Sequence, residues 1–136
     1  MLATLRAEWN KRPWWMNLIW GFCLYMTFAY MPWDIFVKPI ERDEEVWFGV
    51  TFHGMTAKLL APLHWLVYGL GGYGFWRMKR WMWPWAAVYV AQIAIGMCVW
   101  SVLDPRGAGI WAGLVGGAVF LVPTVALLRA RGRFTG

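Results

Sequence analysis

A chain of 136 residues with 60% hydrophobic and only 15% charged side chains presents apolar surface to something other than water, which excludes an ordinary soluble domain. Its net charge of +6 would suit nucleic acid if the cations shared one soluble face. They fall instead in short runs between long apolar segments, so the expected partner is the lipid bilayer and no nucleic acid is expected.

Residues 1–13 place Leu2, Leu5 and Trp9 at helical spacing among Arg6, Glu8, Lys11 and Arg12, which predicts a short amphipathic N-terminal arm lying at the headgroups. Basic residues before an apolar run also open secretory leaders. The run 14–37, however, has 24 residues, too long for a leader's core, and no small-x-small cleavage pattern follows it, so it is expected to stay as a membrane helix. Three further apolar segments follow at 46–76, 81–103 and 109–128, and each reaches the ~20 residues that cross ~30 Å of hydrocarbon. Backbone groups in lipid must be satisfied within their own segment, so all four read as helices. The connections 38–45, 77–80 and 104–108 are short, which makes consecutive helices antiparallel neighbours. The expected fold is therefore all-α: an integral membrane four-helix transmembrane bundle with up-down topology, one domain over 1–136 and a basic tail at 129–136.

Charge sets the expected orientation. Arg6, Lys11, Arg12, Arg77, Lys79, Arg80, Arg129, Arg131 and Arg133 fall on one side of the four crossings. Lys38, Arg42 and Arg106 fall on the other, beside Glu41, Asp43, Glu44, Glu45 and Asp104. The positive-inside rule then places both termini in the cytoplasm, as in a bacterial inner membrane. Trp14, Trp15, Trp76, Trp81, Trp83 and Trp85 would form the inner aromatic belt, with Trp33, Trp47, Trp100 and Trp111 the outer one. Most of the 13 tryptophans thus need no ligand.

Segment 46–76 carries the residues that point to activity. An ammonium or imidazole within a membrane is costly unless it finds a partner, a cavity or a function, and this segment holds His53, Lys58 and His64. His53, Ala57, Leu60 and His64 follow at intervals of four, three and four, so a helix would set both imidazoles on one face about 16 Å apart, with Tyr68 one turn beyond. Pro62 leaves the Lys58 carbonyl without its helical donor and predicts a kink there. Lys58 is expected to snorkel or to pair with Asp34 or Asp104, and Gln92 and Tyr89 on the third segment are the other polar candidates for a ligand. Asp43 reads as the cap of the second helix, with Glu44 and Glu45 meeting its dipole.

The fourth segment repeats Gly109, Gly113 and Gly117 at four-residue spacing, a pattern that lets a second helix approach closely, from within the chain or from another membrane protein. Cys23 and Cys98 lie at depths too different for a disulfide, and no metal-ligand spacing occurs. No nucleophile elbow or phosphate-cradling loop is present, so no catalytic residue is singled out. Two functional expectations follow. One is a small accessory or structural subunit that packs through the fourth helix against a larger membrane complex or a second copy. The other is a pocket for a lipophilic small molecule or pigment lined by His53, Lys58, His64, Tyr68 and Gln92; no cofactor is required, but haem or chlorin fits this pocket if a second subunit supplies a facing histidine.

Overall fold

A computed structural model describes all residues 1–136. The chain is helical with one small two-stranded sheet, and it departs from the four-span bundle. After the arm helix α1 (Leu2–Asn10), helix α2 (Trp14–Tyr25) passes through a π-helical turn (Met26–Tyr30) into α3 (Met31–Phe36). Strands β1 (Glu44–Trp47) and β2 (Val50–His53) come next, and then the long helices α4 (Gly54–Trp76), α5 (Met82–Leu103) and α6 (Gly109–Arg129).

Only α5 and α6 are long and apolar enough to cross a membrane, not four helices. The expected first span is broken by the π turn into pieces of at most 12 residues, and α4 is diluted by Lys58, Pro62, His64 and its glycines. In each spanning stretch only 22% of the residues are buried inside the protein, unlike the core helix of a soluble domain. Their exposed side chains are apolar, among them Val88, Ile95, Leu114, Val119 and Val122.

The second correction concerns 46–76, whose first eight residues are not helical. Val46, Trp47, Val50, Thr51 and Phe52 are β-branched or aromatic and suit a pleated strand, and Phe48 and Gly49 turn between them with φ of 52° and 83°. Such a two-residue turn with both φ positive matches the twist of the strands it joins. The antiparallel register pairs Glu44 with His53, Glu45 with Phe52, Val46 with Thr51 and Trp47 with Val50. Asp43 therefore caps no helix, since α4 begins eleven residues later and has His53 in extended conformation before it. Pro62 lies inside α4, which runs from Gly54 to Trp76.

The hairpin tip lies against α5. A side chain on Gly49 would collide with the carbonyl of Gly96, and one on Gly96 would meet the Gly49 backbone nitrogen at 3.1 Å, so these two glycines allow backbone to touch backbone. Gly96 stands seven residues before the end of α5, about 10 Å along its axis. The hairpin is thus wedged between α4 and α5 instead of lying on the rim. Pairing of α5 with α6 is the most extensive helix contact, and α4 packs chiefly on α2 and α3.

The opposite end gathers the basic segments. Arg12 reaches across from the arm to donate to the Phe75 carbonyl at 2.9 Å and to Asn17 at 2.8 Å, with its guanidinium 4.1 Å from the Trp20 ring centre. The C-terminal residues return to the 77–80 connection, where Gly136 donates to Met78 at 2.9 Å and accepts from Arg80 at 3.0 Å. Phe134 is buried beside Phe75 there.

Candidate functional site

Side chains alternate across the hairpin, so Glu44 and Val46 face outward while Glu45 and Trp47 face the helices. That alternation delivers a carboxylate to His64. Glu45 is buried and its Oε2 is bonded to His64 Nδ1. Trp47 stacks flat on the imidazole, with ring centres 3.9 Å apart and planes within 8°. The ring is thus held by a hydrogen bond in its plane and by an indole on one face. One turn along α4, Tyr68 lies 6.1 Å from His64, and its hydroxyl is 3.4 Å from that of Tyr89 on α5.

Two cavities share lining residues at this cluster. One, of about 510 Å³, is lined by Tyr30, Glu44, Glu45, His64, Met97 and Trp100 among others. The second, of about 640 Å³, is almost wholly apolar, with Phe22, Val67, Trp85, Ala86 and Phe120 in its walls. Tyr68, Tyr89, Gln92 and Ile93 line both. Several walls of the apolar cavity are themselves exposed, Leu18, Phe22, Leu70 and Trp85, so it opens sideways to the surroundings of the helices.

Beside the chamber lies a second polar cluster. Lys58 donates to the backbone carbonyls of Asp34 at 2.5 Å and Lys38 at 2.8 Å, and its ammonium is 2.9 Å from Asp43. Lys38 bridges Asp34 at 2.7 Å and Asp43 at 3.1 Å. Both carboxylates are almost inaccessible, and Oδ2 of Asp34 has no donor. Burial opposes the charge on Asp43, but Lys58 and Lys38 outweigh it and hold this carboxyl below its ordinary range. Burial likewise works against the Lys38 ammonium, yet hydrogen bonds to Asp34 and Asp43 raise its pKa above the usual lysine value. Two cations and two anions balance, so the cluster is a neutral clamp that ties the 38–43 connection to α4.

Of the residues singled out from sequence, His64, Tyr68 and Gln92 come together at the chamber. Lys58 and Asp34 belong to the clamp instead, and Lys58 has no contact with Asp104. Asp104 accepts from Thr51 at 2.8 Å and from Arg106, whose hydrogen bonds hold its carboxyl far below the usual range. His53 does not share a helix face with His64; it ends β2 on the surface, with its Nδ1 3.4 Å from Glu44. The two imidazoles therefore do not converge on one metal-sized space, and no three His, Cys, Asp or Glu side chains are placed to hold a metal ion. Gly113 and Gly117 lie against α5, where a side chain on either would come within 2.8 Å of Cys98 Cα or 2.9 Å of the Ala94 carbonyl. Gly109 opens α6 with φ of 85° and faces open space.

From sequence, Glu45 and Asp43 read as a helix start, Trp47 as part of an interfacial belt and Lys38 as a loop charge, none of them as a site residue. The available signal was Phe48-Gly49 between two runs of β-branched and aromatic residues, a hairpin pattern hidden by continuous hydrophobicity into α4. Comparison with known proteins yields no match: no family model fits the sequence, and no curated protein or solved structure is similar to the chain.

Proposed function

We propose that this chain is a membrane protein that binds a lipophilic small molecule between α4 and α5. The observation that supports this reading is an apolar cavity beside a more polar one, with Tyr68, Tyr89, Gln92 and Ile93 in the walls of both. Volumes of about 510 and 640 Å³ fall within the range of small-molecule sites, and a long apolar chamber with few convergent polar groups is their usual form. The ligand's body occupies the apolar part and its polar group meets Glu45, His64 and the tyrosine hydroxyls. The exposed mouth at Leu18, Phe22 and Trp85 lets such a molecule enter from the hydrocarbon layer.

In this reading α5 and α6 anchor the chain, and irregular backbone at the hairpin is tolerated at depth because it is enclosed by protein and lines a cavity. The basic end formed by the arm, the 77–80 connection and the C-terminal tail faces the cytoplasm of a bacterial inner membrane by the positive-inside rule. The small-residue stripe of α6 lends no weight to a docking role, because Gly113 and Gly117 are already filled by α5.

The test uses the full chain in dodecyl maltoside with Nile red, a neutral dye that fluoresces in apolar sites. Wild type is expected to give saturable fluorescence above empty micelles at one dye per chain. Ile93→Trp, which adds bulk to the wall that the two cavities share, is expected to abolish it with circular dichroism unchanged. An equal signal from Ile93→Trp would end the proposal.

A further inference from the structure

From the charge of the chamber we infer that its ligand is an organic cation with an apolar body, an inference that rests on the chamber being a binding site. No lysine or arginine lines either cavity; the only ionisable acids and bases near neutral pH are Glu44, Glu45 and His64. Glu44 shares the Arg106 guanidinium, at 2.9 Å, with Asp104. Every cation nearby is likewise engaged: Lys38 and Lys58 with Asp34 and Asp43, and Arg106 with Asp104 and Glu44.

Glu45 differs from these carboxylates. Its one partner is His64, a single bond at Oε2, and its Oε1 accepts no hydrogen bond although the residue is buried and faces the cavity. A buried carboxylate whose only partner is an imidazole leaves negative potential that no fixed ammonium or guanidinium cancels. Around it stand the rings of Tyr30, Tyr68, Tyr89 and Trp100, whose π faces attract a cation most strongly where water is excluded. Met26, Met31 and Met97 add polarisable surface that adapts to a bulky head group. An anion would meet Glu45 with no compensating positive charge. A neutral head would at most donate to Oε1 and would leave the charge of Glu45 uncancelled.

The experiment compares two ions of the same shape and opposite charge. Tetraphenylphosphonium and tetraphenylborate are titrated by calorimetry into the full chain in dodecyl maltoside, with empty-micelle heats subtracted. Tetraphenylphosphonium is expected to bind saturably and at least about tenfold more tightly than tetraphenylborate, given a carboxylate on the cavity wall and an aromatic lining. Glu45→Gln keeps the shape and a hydrogen bond to His64. It is expected to weaken tetraphenylphosphonium about tenfold. Equal affinities of wild type for the two ions overturn the inference, and because that comparison needs no variant it holds even if Glu45→Gln fails to fold. Unchanged tetraphenylphosphonium affinity in a folded Glu45→Gln protein overturns it as well. Nile red binding with neither ion binding would remove the cation reading and leave the chamber; loss of all three would remove the chamber too.

Discussion

The contact of α5 with α6 and the contact of α4 with the hairpin solve opposite problems. In the first, Gly113 and Gly117 bring backbone against backbone, Cys98 donates its thiol to the Gly113 carbonyl at 3.3 Å, and no formal charge takes part. Dispersion over a close approach is what holds such a pair where both helices are apolar all round. In the second, the interior is polar: Lys38, Lys58, Asp34 and Asp43 form one cluster and Glu45 with His64 another. The ion pairs among Lys38, Lys58, Asp34 and Asp43 add little net stability over apolar packing, but a displaced partner there leaves a charge stranded. The uncharged contact therefore serves as anchor, and the charged one sets the geometry of the chamber beside it.

The difference is open to test by breaking each contact in turn. Asp43→Ala removes the carboxylate that both lysines share and leaves two cations against Asp34 alone, at an expected loss of about 3–5 kcal/mol in unfolding free energy. Its check is a denaturant or thermal unfolding curve in mild detergent. Hydrogen exchange should also rise in β1 and β2 and stay unchanged in α5 and α6. Exchange rising equally in all four elements would mean that the two contacts are not separable.

Gly117→Val is the matching break in the anchor, and it is expected to be smaller, about 1–3 kcal/mol, because the added methyls are accommodated by sliding α6 rather than by stranding a charge. Its exchange pattern should be the reverse, with α5 and α6 loosened while Trp47 remains stacked on His64. Acid should act more gently still, through Asp43 of the clamp and Asp104 beside β2, whose carboxyls are both held below their ordinary range. The Asp43 carboxyl is held below its ordinary range when folded, so its contribution is fully present above the unfolded pKa of about 4 and is lost as pH falls through the lowered folded value. Protonated Asp43 still fills its place, which keeps this loss below that of Asp43→Ala. A pH series of hairpin exchange should show protection falling only under acid conditions, whereas protection that fell on raising the pH from neutrality would reverse the assigned sign.

Hydropathy alone determined that much of this chain is apolar surface, that 81–103 and 109–128 are long helices, and that basic residues collect away from acidic ones. Those properties are sums over neighbouring residues, and α5 and α6 match the expected spans within two residues. The glycine spacing in α6 was legible for the same reason, since residues four apart share a helix face whatever surrounds them. Only the tertiary structure decided what 44–53 does. Its hydrophobicity is continuous with α4, so local pattern favoured helix. Gly49 against Gly96 and Trp47 against His64 reward a hairpin instead, and both contacts join residues far apart in sequence. That choice turned Glu45 from a helix-end charge into the buried partner of His64, and it gave Lys58 the carboxylate of Asp43 in place of Asp104. A one-dimensional pattern records how apolar a side chain is, but the burial of a charge depends on which distant segment arrives to pair with it.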